Sequence, residues 1–97
     1  TVVNGTKGTF NAVSSTVYTL VVAADQDSTD AITVDVAASA AVDVNDNTST
    51  AATQSTQVVD TTNPSVTITD NQDGTADDAA ADVTYTFTFS EAVTDFA

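Results

Sequence analysis

Apolar and polar residues alternate along most of this chain with a period of two. The clearest run covers residues 83–89, where four apolar side chains alternate with three threonines. The apolar positions are Val83, Tyr85, Phe87 and Phe89. Such alternation is typical of a strand that buries one face and exposes the other. It therefore predicts antiparallel β-structure with a clear inner and outer side.

The same pattern predicts six further strands. They cover residues 1–3, 8–13, 17–22, 32–36, 52–59 and 66–68. We expect the inner side chains to be Tyr18, Leu20 and Val22 in one strand, and Ile32, Val34 and Val36 in another. The alanine-rich stretches 37–41 and 76–81 are too short and interrupted to predict helices. Seven short strands predict an all-β sandwich.

Two segments predict turns within this sandwich. Asn4-Gly5 is a typical two-residue hairpin sequence, expected to join the first two strands. Residues 70–74 (DNQDG) predict a hairpin turn beside an acidic surface, and they also suggest a calcium loop. They do not fit the EF-hand template, because Gly74 at its sixth position places Thr69 at the first and Ala80 at the twelfth.

Composition narrows the chemistry that the chain can perform. Its 97 residues contain no Cys and no His, which removes the usual activated nucleophiles and their general base. A glycosidase with paired carboxylates would need a cleft lined by aromatic rings. Both tyrosines and most phenylalanines already belong to the predicted core faces. We therefore expect a protein that is not an enzyme.

The charge balance is strongly acidic. Thirteen Asp and Glu91 face a single basic side chain, Lys7, for a formal charge of −13. Nucleic acids and anionic membranes attract basic surfaces, so neither is an expected partner, and no apolar run is long enough for membrane insertion. Two interpretations of the charge stay open: solubility of an acidic surface, and calcium held by oxygen-rich loops.

Four segments resemble the bacterial Ig-like (Big-type) tandem repeat of giant extracellular adhesins and surface proteins. Residues 60–69 (DTTNPSVTIT) resemble the opening of that repeat, and residues 85–93 with Phe96 resemble its next conserved stretch. Residues 4–10 with 17–21 resemble its middle, and residues 43–47 with 50–53 resemble the loop before its last strand. The resemblance covers nearly the whole chain and implies an Ig-like Greek-key β-sandwich of about seven strands.

The resemblance also implies that the chain is cut out of phase with the repeat. Residues 1–60 resemble strands C to G of one sandwich, residues 61–64 a linker between domains, and residues 65–97 strands A and B of the next. In the family the end of strand G and the start of strand A lie at opposite ends of the sandwich. A strand of seven or eight residues is about 25 Å long, whereas four linker residues span at most roughly 14 Å. We therefore expect neighbouring copies, in a covalent tandem array or a homopolymer, to complete each sandwich.

The functional expectation follows from this resemblance. It implies a secreted, cell-surface structural repeat that builds an adhesin stalk, a surface filament or a surface layer. The alternative is a binding module that recognises carbohydrate or protein. That alternative requires an exposed aromatic or apolar patch, and the alternation pattern predicts none. Where the family usually has Gly, this chain has Asp46, which tolerates a left-handed backbone less easily.

Eight residues are candidate calcium ligands. Residues 43–47 (DVNDN) are similar to the calcium-binding string of cadherin linkers, although an ordinary Asx-rich turn is the favoured explanation of them. Residues 70–74 supply a second candidate loop, and Asp60 with Glu91 could bridge a calcium ion at the joint between domains. The complete set is Asp43, Asn45, Asp46, Asn47, Asp60, Asp70, Asp73 and Glu91.

Overall fold

In a computed structural model, described here for residues 1–79 and 82–97, the chain is all-β. The predicted all-β class and the seven strands are confirmed, and the described residues contain no helix. No membrane-spanning helix is present in that part of the chain. Of the stretch 76–81, Ala80 and Ala81 lie outside the described residues. The strands are β1 Val2–Val3, β2 Gly5–Ala12, β3 Tyr18–Ala24, β4 Ile32–Val34, β5 Ser55–Gln57, β6 Val66–Asp70 and β7 Tyr85–Phe89.

The strands pair antiparallel in three small sheets. β4 lies between β1 and β5, β2 pairs with β3, and β6 pairs with β7. None of these sheets is closed. This arrangement is consistent with a β-sandwich, whereas the Ig-like Greek-key order stays a prediction.

The chain divides into two compact units. Unit 1 is Thr1–Thr62 and carries β1 to β5, and unit 2 is Asn63–Ala97 and carries β6 and β7. The division falls inside the segment 61–64 that the sequence predicts as a linker. The correspondence of the two units to strands of an Ig-like domain stays a prediction.

The predicted hairpin at Asn4-Gly5 is wrong. β1 pairs with β4 while β2 pairs with β3, so the chain passes from one sheet to another at Asn4. A type I′ turn requires positive φ at both central residues, but only Asn4, at φ 58°, has it. The side-chain amide of Asn4 donates a hydrogen bond to the carbonyl of Ala31 at 3.0 Å, which holds this crossing in place.

Gly5 lies where the two sheets of unit 1 meet. A Cβ at this position would lie 2.8 Å from Cγ1 of Val22 and 3.4 Å from Cγ1 of Ile32. Val22 belongs to β3 and Ile32 to β4, so the missing side chain of Gly5 lets β2 approach both strands. Overpacking of such a contact costs about 1–3 kcal/mol.

The β2–β3 sheet has one apolar face that is only partly covered. Its register aligns Phe10 with Leu20 and Ala12 with Tyr18, with a bulge between Lys7 and Phe10. Leu20, like Val22, is half-buried, whereas Phe10 and Tyr18 are 66% and 56% exposed. Their rings stack with centroids 5.8 Å apart. We call Phe10, Tyr18, Leu20 and Val22 the Tyr18 face.

The predicted inner positions of β4 are confirmed in part. Ile32 and Val34 are half-buried. Val36 lies beyond the end of β4 and is exposed, so its prediction as an inner residue is wrong. Its backbone carbonyl accepts a hydrogen bond from the Ala52 amide, but its side chain has no covering layer.

Unit 2 is an amphipathic β-hairpin. Cross-strand partners share a face, and the register pairs Val66 with Phe89 and Ile68 with Phe87. Phe96 packs on the same side, with its ring centroid 5.3 Å from that of Phe87 and 4.9 Å from that of Phe89. We call these five residues the Phe96 face. The opposite side carries Thr67, Thr69, Thr86 and Thr88.

The predicted hairpin turn at residues 70–74 does not close the hairpin. β6 ends at Asp70 and β7 begins at Tyr85, so fourteen residues separate the two strands along the chain. The Asn71 amide donates to the Thr84 carbonyl, and the Thr84 amide donates to Oδ1 of Asn71. These bonds continue the ladder beyond Asp70 and Tyr85, so residues 70–74 only begin the connection.

None of the described residues is buried. The chain exposes 7863 Å² of surface, whereas two separate compact domains of the sizes of units 1 and 2 would expose roughly 6200 Å² in total. The excess of about 1700 Å² includes the exposed apolar side chains together with the loops and the polar sides of the strands.

Candidate functional site

The DVNDN segment forms a compact turn in unit 1. An isolated β-bridge joins Val42 to Thr48, and the Asp43 amide donates to the Asn47 carbonyl at 3.0 Å. Inside this frame the Asp46 amide donates to the Asp43 carbonyl at 3.1 Å. Asp46 has φ 65°, the left-handed backbone that the family resemblance implies at this position. The turn is therefore a tight closure between two extended segments.

The Asp43 carboxylate organises this turn. Its Oδ1 accepts hydrogen bonds from the Asn45 amide at 2.8 Å and from the Asn47 amide at 2.9 Å. Its Oδ2 accepts a bond from the side-chain amide of Asn47 at 3.0 Å. The Asn47 side chain, followed by the two backbone amides, holds the pKa of Asp43 below its ordinary value of 3.8. The ionised form is thus favoured because three donors converge on it.

The oxygen atoms around this turn fit a hydrogen-bonded Asx turn better than a cation cage. Calcium requires six to eight oxygen ligands, and Asp43 already shares both carboxylate oxygens with amide donors. Within residues 1–79 and 82–97, no three acidic side chains come together to hold a metal ion. A shallow, open depression of about 330 Å³ adjoins the turn. It is lined by Ala41, Val42, Asp43, Asn47, Thr48 and Ser49.

The remaining candidate ligands lie apart along the chain. Oδ1 of Asp60 accepts the Thr62 amide at 3.2 Å, and Oδ1 of Asp70 accepts the Gln72 amide at 2.9 Å. Asp73 contributes its backbone carbonyl to the Gln72 side chain, and Glu91 is exposed. Asp60 belongs to unit 1 and Glu91 to unit 2. Calcium binding by these residues stays a prediction.

Thr61 fastens the end of unit 1 to the acidic turn at residues 25–30. Its hydroxyl donates to the Asp25 carbonyl at 2.6 Å and accepts the Ser28 amide at 3.1 Å. Its own amide donates to the Ser28 carbonyl at 2.9 Å. The segment predicted as a linker therefore begins with a residue that is anchored in unit 1.

Two exposed apolar faces are the surfaces that the sequence pattern did not reveal. Alternation correctly placed Tyr18 and Phe87 on apolar faces, but it predicted that a second layer would cover them. In the structure Tyr18 and Phe87 are 56% and 47% exposed, and Phe96 is 57% exposed. The pattern contains no signal for this exposure, because a covered and an uncovered face have the same alternation. The only indication in the sequence that a face could be uncovered was that the four-residue linker is shorter than a strand.

Comparison with known proteins adds no assignment. No protein-family model matches the chain, and neither the curated proteins nor the solved structures that were compared with it include a match. The candidate surfaces are therefore interpreted from their own geometry.

The Asp43 turn makes a prediction about acid. A carboxylate whose pKa is lowered by folding stabilises the turn fully when the pH is above its unfolded pKa of 3.8. This stabilisation is lost as the pH falls through the lower pKa of the folded state. We expect the carboxyl carbon signal of Asp43 to titrate below 3.8 in an NMR experiment, together with the Asn47 amide signal. Asn47→Ala should return the titration toward 3.8, because it removes the largest cause of the shift. Asn45→Ala, which keeps the donating backbone amide, is the matched control. A wild-type titration at or above 3.8 would refute the hydrogen-bonding account of this turn.

Proposed function

We propose that this chain is a non-enzymatic structural repeat that builds an extended extracellular array or filament. The array consists of Ig-like sandwiches placed end to end, as in an adhesin stalk, a surface filament or a surface layer. Neighbouring copies complete the sandwich of each chain. The observation that carries this proposal is the pair of uncovered apolar sheet faces, one in each unit.

The size of the uncovered surface supports two neighbours for each chain. A specific protein interface buries about 800 Å² on each partner. The excess surface of about 1700 Å² includes both apolar faces and is large enough for two such contributions, as an internal member of an array requires. Uncovered faces of this size on a free chain would otherwise favour unspecific aggregation.

The charge of the chain suits an extracellular array. A formal charge of −13 keeps the outer surfaces of neighbouring filaments apart, because like charges repel. The absence of Cys means that the array would hold together by packing rather than by disulfides. Secretion and a surface location follow from the resemblance to bacterial Ig-like repeats, and they belong to this proposal.

A surface binding module is the second candidate, and one observation favours it. The Phe10 and Tyr18 rings stack with an angle of 10° between their planes, and both are exposed. Such a flat aromatic surface can stack on the apolar side of a sugar ring or receive a partner protein. The array is preferred because Leu20 and Val22 lie next to these rings on the same face and are half-buried. This is expected where the rings form one end of a core layer.

A covalent tandem of three copies tests the array. Each internal joint of the tandem brings unit 2 of one copy next to unit 1 of the following copy, so complementary layers become neighbours. We expect the tandem to melt more cooperatively and at a higher temperature than the single 97-residue chain, measured by calorimetry at equal mass concentration. The control is a tandem in which Phe87 and Phe96 are replaced by Ser in every copy. Identical melting of the single chain and the wild-type tandem would contradict the proposal.

Calcium stiffening is the part of the proposal that concerns the acidic residues. Thirteen Asp and Glu91 could be neutralised by calcium at the Asp43–Asn47 turn, at residues 70–74 and at the joint of Asp60 with Glu91. If calcium binds there, millimolar calcium raises the melting temperature of the tandem, whereas the same ionic strength of sodium chloride does not. Asp43→Asn and Glu91→Gln variants then show how much of the increase each site provides. An equal response to both salts would leave solubility as the role of the acidic side chains.

A further inference from the structure

The two uncovered faces of one chain differ in kind. On the Phe96 face, the ring of Phe96 lies against Phe87 and Phe89 with its plane tilted by 54° and 73° from theirs. The Tyr18 face has its two exposed rings stacked flat at one end, and its half-buried aliphatic side chains lie further along β3. A tilted ring packs well on the edge or face of another ring. The tilted rings of the Phe96 face can therefore pack on the flat, stacked rings of the Tyr18 face.

We infer, on the basis of the proposed function, that the Phe96 face of one copy packs on the Tyr18 face of the next copy. This joint is heterologous, since it uses two different surfaces of the same chain. A heterologous joint leaves one unused face at each end of an open assembly, so further copies can add there unless the assembly closes into a ring. The partner that this surface recognises is a second copy of this chain.

Charges at one end of each face set the orientation of the joint. The register places Lys7 opposite Val22, at the end of the Tyr18 face that is remote from the Phe10 and Tyr18 rings. It places Asp70 opposite Tyr85, at the end of the Phe96 face that is remote from Val66 and Phe89. Lys7 is the only basic side chain of the protein, and both residues are exposed.

The spacing along the strands agrees with this orientation. Lys7 and Phe10 are separated by roughly 10 Å along β2, and Asp70 and Val66 by roughly 13 Å along β6, at about 3.3 Å per residue. When Lys7 meets Asp70, the exposed rings of Phe10 and Tyr18 lie against the end that carries Phe89 and Phe96. The reverse orientation would bring Asp70 onto the aromatic rings and leave Lys7 without an opposite charge.

The available surface is sufficient for such a joint. Each internal copy uses both faces, and the excess of about 1700 Å² is large enough to include two interfaces. A standard interface takes about 800 Å² from each partner. A symmetric dimer through one face would leave the other face of each copy uncovered.

Complementation between two single variants tests the heterologous joint. Tyr18→Asp places a charge on one face and Phe96→Asp on the other, and each should weaken self-association about a hundred-fold or more, because a charge would be buried without a partner. Sedimentation velocity of either variant alone should show monomers. An equimolar mixture should form a dimer and stop there, because each variant keeps one intact face. The wild-type chain should instead form assemblies that grow with concentration.

Controls separate the joint from general effects on folding. Val21→Asp lies on the opposite side of β3 from Tyr18, and Thr88→Asp lies on the threonine side of β7; both should assemble like the wild type. Phe10→Asp supplies a second variant of the Tyr18 face if Tyr18→Asp changes the circular dichroism spectrum. Lys7→Glu and Asp70→Lys should each weaken assembly, and their mixture should restore it. A mixture that fails to restore assembly would overturn the orientation.

Three results would overturn the heterologous joint. The first is a symmetric dimer formed by either Asp variant alone. The second is a mixture of the two variants that remains monomeric. The third is a wild-type chain that is monomeric at every concentration. If the three-copy tandem still gains stability in the third case, the proposed structural role stands and only the joint fails. If the tandem gains nothing, the proposed function fails as well.

Discussion

A β-sheet with one apolar face is stable in water only when a second layer covers that face, because an isolated two-stranded sheet buries too little apolar surface to offset the entropy of ordering its chain. Both units of this protein are subject to this constraint. The hairpin of β6 and β7 sorts its apolar side chains onto one side and its threonines onto the other. On the apolar side of the β2–β3 sheet, Leu20 and Val22 are half-buried, whereas Phe10 and Tyr18 are exposed. The proposed assembly is based on these two exposed apolar faces.

The local structure keeps the two layers well defined even though they are uncovered. Gly5 lets β2 approach Val22 and Ile32 closely, and Asn4 directs the chain from one sheet into the other. The Asp43 turn closes its own segment through a carboxylate with three donors, and Thr61 anchors the end of unit 1. Hydrogen bonds of this local kind orient the strands within each unit. Under the proposed function they also lower the conformational entropy lost when a neighbouring copy packs on the unit.

Sequence patterns predicted the number and type of the strands because the period of two is a local property of the chain. They failed at Asn4-Gly5, where pairing with distant strands decides the path, and at residues 70–74, where the connection extends to Thr84. The left-handed backbone of Asp46 was predictable from the resemblance to a family with Gly at that position. The calcium ligands could not be decided, since an Asx turn and a calcium loop share the same residue types. The alternation pattern could not reveal the exposure of Tyr18 and Phe96, because a covered and an uncovered apolar face have the same alternation.

The central claim is that the covering layer comes from another copy, and cross-linking tests it most directly. The chain contains no Cys, so Leu20→Cys and Ile68→Cys together introduce the only two thiols, one on each face. A bifunctional maleimide that spans the roughly 10 Å between packed sheets would then join the faces that lie against each other. The account predicts a ladder of dimers, trimers and longer species on a denaturing gel. Each single-Cys variant should give monomers and nothing larger than the dimer that one thiol per chain permits. A single cross-linked monomer band, with no ladder at any protein concentration, would show that the chain covers its own faces and would contradict the account.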